Sequence, residues 1–376
     1  VDSTAPEMPE MRRSSRDPDQ LRRDLQRWLA GTVGPGSGAR VTDLRATSAN
    51  GMSSETILFD AAWDDGSGAA GTRELVARIA PGTDDVPVFP TYDLTRQFDV
   101  IREVGARTPV PVPPVFWNEP DPDAIGAPFF VMGRVDGLVP PDVMPYTFGD
   151  NWLFDASPAD QRRLQDASVR VLAELHSLPA DDPAFAFLGY DDDLGPTPLA
   201  RHVAHTREWY EWVVGDGPRS PLIDAGFDWL DRNFPETEGE AVVCWGDSRI
   251  GNAMYRDFEP VAILDWEMTC VGPRELDVGW MVYSHQVFEH LATTFELPGM
   301  PNFMRPDDVA ATYAEVSGHA LGDLRWFLAY SAVQFGIVFV RTGQRAVHFG
   351  EQEPPANVDD FMHHAGQLAD LIAEDL

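Results

Sequence analysis

The sequence contains no lysine: all 28 of its basic residues are arginine. Set against 61 Asp and Glu, this leaves a formal net charge of −33. A surface so acidic repels a phosphate backbone, which argues against nucleic acid or an anionic membrane as a partner. It leaves room for a cationic small molecule drawn into an acidic cleft. Cysteine is nearly absent too, with only Cys244 and Cys270. Two thiols make neither a disulfide framework nor a zinc site, and they fit a reducing cytoplasm. Long apolar runs are missing. The longest, Phe327 to Val340, spans about fourteen residues, contains Gln334 and is flanked by Arg325 and Arg341. Crossing a bilayer takes about 20 apolar residues, so this run predicts a core helix. The stretch Val1 to Gln20 has no apolar segment for a signal peptide. Internal repeats and low-complexity segments are absent as well.

What is present is concentrated between Ala241 and His285. An apolar run, Ala241 to Cys244, predicts a short buried strand that breaks at Gly246-Asp247. Asn252 follows Asp247 by five residues. A second apolar run, Val261 to Leu264, delivers Asp265 at its end, thirteen residues after Asn252. A phosphoryl-transfer site needs this set of groups: one carboxylate to accept a hydroxyl proton, and an amide and a carboxylate to hold magnesium. The same residue types also shape turns. The two motifs in series, between buried strands, are much rarer than either alone.

This stretch resembles the catalytic core of the aminoglycoside phosphotransferase and choline kinase-like families, within them the branch of kinase-like domains attached to acyl-CoA dehydrogenases. The resemblance implies an α+β, bilobal protein-kinase-like fold, with a small antiparallel-sheet N-lobe and a larger, mainly helical C-lobe. It implies Asp247 as base, Asn252 and Asp265 as metal ligands, and Asp277 as a buttress for the loop. The family's loop usually starts His-Gly-Asp, whereas Trp245-Gly246-Asp247 stands here, removing a loop-bracing histidine. Arg249 falls where protein kinases place a lysine touching the transferred phosphate. It is expected to stabilise the equatorial oxygens, with a salt bridge to Glu267 as the alternative.

The rest of the chain is read against that core. Residues 1–16 are expected to form a disordered leader, 17–135 a nucleotide-binding lobe and 136–376 a catalytic and acceptor-binding lobe. Asp17-Pro18 should open a helix with Leu21, Leu25, Trp28 and Leu29 on one face. Val41 to Ala80 predicts an antiparallel meander whose first loop, with Ser53 and Ser54, would cover nucleotide phosphates. Arg78 takes the place of the kinase strand lysine, a guanidinium able to fork across two phosphate oxygens. In the helix predicted over Thr91 to Gly105, Gln97 occupies the position of the usual acidic partner. Either Glu103 substitutes for it or the ion pair is absent. Backbone groups at Val131, Met132 and Gly133 should meet the adenine edge, with Phe130 and Met132 as walls. His176, near the end of a helix running from Ser157 to Leu178, is expected to brace the core or the loop. Further helices are predicted over His202 to Phe234, Pro306 to Ser317, Leu321 to Gln344 and Asn357 to Leu376.

The expected activity is ATP- and magnesium-dependent phosphorylation of a small-molecule hydroxyl, with GTP as the alternative nucleotide. The acceptor is an aminoglycoside on the resemblance and the acidic charge, or a hydroxy acid or hydroxyacyl-CoA ester on the dehydrogenase-associated branch. Two other classes remain: a nucleotide-binding pseudokinase, given Trp245, Gln97 and Arg78, and a nucleotide-free binder of cationic ligands.

Overall fold

The computed structural model describes residues 16–46, 54–64, 70–82 and 85–373. Ser53, most of the loop around it, the turn at 65–69 and the leader through residue 15 lie outside the described residues.

Asp17 caps the first helix, α1 (Pro18–Thr32), by accepting the backbone N–H groups of Asp19 and Gln20. Proline at the first helical position costs nothing there, because its missing N–H is one that no helix would use. Leu21, Leu25 and Leu29 are buried along one side of α1. They lie against a five-stranded antiparallel sheet of β1 (Arg40–Ala46), β2 (Glu55–Asp64), β3 (Ala70–Ile79), β4 (Val115–Glu119) and β5 (Phe129–Gly133). The strand order is β1-β2-β3-β5-β4. Strand β2 alternates cleanly, with Ile57, Phe59, Ala61 and Trp63 buried. That period of two pins the register, because a slip of one residue would turn all four toward solvent. Helix α2 (Leu94–Arg107) covers β4 and β5 with Leu94, Val100, Ile101 and Val104.

Beyond β5 the chain is mainly helical: α3 (Pro158–Leu175), α4 (Pro198–Val214) and α5 (Pro221–Arg232) come first. The single helix expected over His202 to Phe234 is therefore two. Gly215-Asp216-Gly217-Pro218 breaks it, and Ser220 caps the second piece by accepting the N–H of Ile223 at 3.0 Å. Next come β6 (Ala241–Cys244), β7 (Ala253–Arg256), β8 (Glu259–Ile263) and β9 (Cys270–Pro273), pairing as β6 with β9 and β7 with β8. They are followed by α6 (Glu275–Thr294), α7 (Pro306–Ser317), α8 (Arg325–His348) and α9 (Ala365–Leu371).

Helix α8 is the apolar run of the sequence, buried nearly all round from Trp326 to Ile337. Helix α6 crosses it closely. A Cβ on Gly279 would lie 2.9 Å from Cβ of Phe327, so glycine is what permits the approach. The helix expected from Asn357 onward shrinks to α9. Met362 and His364 are buried, and the His364 ring bonds the Ala332 carbonyl at 2.9 Å, which draws this stretch off a helical path. Among the described residues no helix is long and apolar enough to cross a membrane. Both cysteines are free and buried.

Candidate active site

Two short hairpin-like pairings place the loop residues. Strand β6 ends at Cys244, and the chain turns through Trp245, Gly246 and Asp247 into a tight turn at Ile250–Asn252. Strands β7 and β8 then pair, Ala253 opposite Ile263. The pairing continues outward as Leu264 donates its N–H to the Asn252 carbonyl at 2.8 Å. Thirteen residues of separation thus become adjacency: Asn252 stands just before the hairpin and Asp265 just after it. The Asn252 amide nitrogen donates to the Asp247 carbonyl at 3.1 Å, tying the third residue to the other two.

Asp277, on the first turn of α6, holds the loop backbone. Its carboxylate accepts the N–H of Trp245 at 2.7 Å and of Gly246 at 2.8 Å. It also meets His176 Nε2 at 3.0 Å, while His176 Nδ1 meets the Tyr313 hydroxyl at 2.8 Å. His176, Cys244 and Asp277 bring ligand atoms within 4.8 Å of one another. Both imidazole nitrogens and both carboxylate oxygens already have partners, so the trio is a brace rather than a metal centre. The Ser248 hydroxyl adds a bond to the Asp277 carbonyl at 2.7 Å.

Trp245 replaces the missing histidine as a brace. Its indole N–H donates to the carbonyls of Leu264 at 2.9 Å and Asp265 at 3.2 Å. The departure from the family loop therefore changes the donor and keeps the link between loop and strand end.

The Asp247 carboxylate is half surrounded. Oδ1 accepts from the Trp280 indole at 2.7 Å and from Arg249 Nε at 3.0 Å, and Oδ2 lies 3.2 Å from the same Nε. Arg249 also pairs through Nη1 with Asp142, not with Glu267. Burial works against the charged guanidinium, but Asp142 and Asp247 outweigh it and its pKa is raised. Trp280 and Asp142 were missed in the sequence. Trp280 had a usable signal, lying three residues after Asp277 on the same helical face. Asp142 lies in a Pro-rich loop without periodicity and had none.

Asn252 and Asp265 line a cavity of about 390 Å³ between the sheet and the hairpin. Arg78 lines it too, donating to Thr56 at 2.8 Å and to Asp265 Oδ1 at 3.1 Å. Gln97 is buried, makes no side-chain hydrogen bond among the described residues, and faces the same cavity. Glu103 does not stand in for it. Six residues along α2, it points outward and pairs with Arg102 and Arg107. The strand cation has exchanged a helix carboxylate for Asp265.

Phe130, Met132, Val76 and Ile263 supply apolar walls. The expected adenine contacts at Val131 to Gly133 need correction. Strand β5 is flanked by β3 and β4, so Val131 and Met132 pair on both sides. The Gly133 N–H goes to the Pro114 carbonyl at 2.8 Å and the Arg134 N–H to Glu74 at 3.0 Å. The first residue past the ladder is Val135, which lines the cavity with Asp136 and Gly137. Met132 and Gly133 also line it, whereas the Val131 side chain, by strand alternation, does not. Ser54 is buried at the start of β2 and is not among the lining residues.

Comparison with known proteins bears on the family and the fold. The Phosphotransferase enzyme family is matched over residues 63–298. "Probable acyl-CoA dehydrogenase IBR3" of Arabidopsis thaliana is 26% identical over 307 residues, covering 77% of this chain and 35% of that protein. Acyl-CoA dehydrogenase family member 11 of Homo sapiens is 27% identical over 205 residues, 54% of this chain and 24% of that protein. The chain thus spans about a third or less of these relatives' length. Among solved structures, one described as "a putative aminoglycoside phosphotransferase" from Ralstonia eutropha matches with a TM-score of 0.63 and 21% identity, over 93% of this chain and 96% of that one. A thermostable mutant of aminoglycoside phosphotransferase APH(4)-Ia, in ternary complex with ADP and hygromycin B, matches with a TM-score of 0.53 and 14% identity over 93% and 98%. The structural matches establish the bilobal kinase-like fold. With most of its length matched by the family, this chain belongs to the phosphotransferase enzyme family.

Proposed function

We propose that the chain transfers the γ-phosphoryl group of ATP to a hydroxyl of a small molecule. One observation carries this reading: the β7–β8 hairpin brings Asn252 and Asp265 together at the polar end of an apolar cavity, beside Arg78, and the Asn252 amide is bonded to the carbonyl of Asp247. The adenine is assigned to the apolar walls and the segment from Val135, and the phosphates to the end marked by Arg78, Asn252 and Asp265.

The donor set suits magnesium. Asn252 uses its amide nitrogen on the loop and keeps its oxygen, and Asp265 keeps Oδ2 while Oδ1 holds Arg78. Two hard oxygen donors with room for water and phosphate oxygens match how that ion is bound. When bound, it would neutralise charge developing on the phosphates. The protein's own groups do the rest. Asp247 orients the acceptor hydroxyl through Oδ2, the less occupied oxygen. The acceptor oxygen bonds to phosphorus as the bond to the β,γ-bridging oxygen breaks, and the hydroxyl proton passes to Asp247. ADP and a phosphate monoester leave. Arg249 offers positive charge to the equatorial oxygens.

The braced loop and the paired Arg78 favour an enzyme over a pseudokinase, since two of the three substituted positions retain a working contact. The test is magnesium-dependent ATP consumption, screened with aminoglycosides beside 3- and 4-hydroxyacyl-CoA esters. Turnover lost in Asp247→Ala, with nucleotide still bound, is the expected result. Normal turnover by Asp247→Ala would overturn the mechanism.

A further inference from the structure

Arg249 has three guanidinium nitrogens and only two are engaged. Nε bonds the Asp247 carboxylate, Nη1 bonds Asp142, and Nη2 makes no hydrogen bond among the described residues. Asp142 is brought in from the loop after β5, 107 residues away. It is half-buried, with a side-chain exposure of 14%, and its Oδ1 is buried without a hydrogen-bond partner. Its approach depends on Gly251, where a Cβ would come within 2.3 Å of Asp142 Oδ1. A carboxylate with one oxygen buried and unsatisfied is costly.

An arginine next to a single carboxylate prefers to fork onto it, two parallel N–H groups onto two oxygens. Arg249 does not do so with Asp247: one nitrogen serves both oxygens, at 3.0 and 3.2 Å. The pull of Asp142 on Nη1 accounts for the difference. We propose that Asp142 is a positioning residue for phosphoryl transfer, holding Arg249 so that it cannot close onto Asp247 and so that Nη2 stays available to the transferred phosphoryl group. Without Asp142 the guanidinium collapses onto the base, which loses its free oxygen while the phosphate loses a donor. This deepens the phosphotransferase reading and rests on it.

The experiment needs no acceptor. Binding of MgADP alone is compared by calorimetry with binding of MgADP plus aluminium fluoride, which imitates the phosphoryl group in flight. In the wild type the fluoride should tighten binding. In Asp142→Asn that gain should fall by about 100-fold, the scale of losing one oriented donor, while MgADP affinity stays unchanged. Asp142→Ala, which removes the carboxylate without adding bulk, should behave alike if Asp142→Asn does not fold. In an Arg249→Met background Asp142→Asn should add nothing, because Asp142 acts only through that arginine. A full gain retained in Asp142→Asn, or a loss that adds to that of Arg249→Met, overturns the proposal and leaves the phosphotransferase reading standing. Absence of MgADP binding in the wild type overturns both.

Discussion

The indole nitrogen of Trp280 donates a 2.7 Å hydrogen bond to Oδ1 of Asp247. The ring is itself fixed, stacked on Phe335 with centroids 4.5 Å apart. A hydrogen bond to a charged group contributes about 1.5–3 kcal/mol, and here the bond also aims Oδ2. Trp280→Phe keeps an aromatic ring against Phe335 and removes the donor along with part of the ring. Turnover should fall by about tenfold or more with the nucleotide KM unchanged, measured by steady-state kinetics. An equal fall in nucleotide affinity would place Trp280 in general packing instead.

Arg78 joins Thr56 on β2 to Asp265 beyond β8. Arg78→Met leaves the half-buried Asp265 carboxylate without its cation and removes one of the two arginines that line the cavity. Nucleotide affinity should drop by about tenfold or more, read by calorimetry with MgATP. Arg78→Lys should recover part of it as a point charge, without the forked geometry.

Trp245 satisfies two carbonyls at the end of β8. Trp245→Phe keeps an aromatic ring but loses the donor and part of the buried ring volume, orphaning both carbonyls at a cost of about 1–3 kcal/mol before any void is counted. The midpoint of chemical denaturation should fall accordingly. Trp245→His should recover part of the loss if its ring N–H reaches the same oxygens.

Acid should destabilise the fold through two histidines. Burial pushes His285 and His364 down to about 4. His364 donates through Nε2 to the Ala332 carbonyl, and its Nδ1 is buried without a partner, so a second proton would have no acceptor. The unfolded chain titrates near 6.5 and binds more protons over the interval between these values. Stability is therefore full above pH 6.5 and declines as pH falls toward 4, by roughly 2 kcal/mol per histidine at pH 5. Melting temperature should drop between pH 7 and pH 5, and His364→Phe should drop less.

The loop chemistry was legible because it depends on spacing along one continuous segment, from Asp247 to Asp277. The hairpin that makes the spacing meaningful was only half visible. Val261 to Leu264 reads as a strand, but Ala253 to Arg256 is too short and polar to announce itself. Glu103 and Val131 misled for different reasons. One is a question of which way α2 is rotated, and the other of which strand lies beside β5, and neither is written locally. Trp245 looked like a loss because residue identity, rather than the reach of an indole N–H, was the visible feature. Asp142 required a contact between distant segments that no local pattern foretells.

Asp277 and Trp280 belong to one turn of α6, and between them Gly279 presses against Phe327 of α8. Helix α6 therefore works as a rod with its fulcrum at that crossing. The loop backbone and the Asp247 carboxylate hang from the same rod and cannot be adjusted separately. A slip of one residue along the axis, about 1.5 Å, would mistune both together. The aim of the Asp247 carboxylate is set by a helix contact some distance away, so a methyl group added at Gly279 would be felt at a carboxylate it never meets.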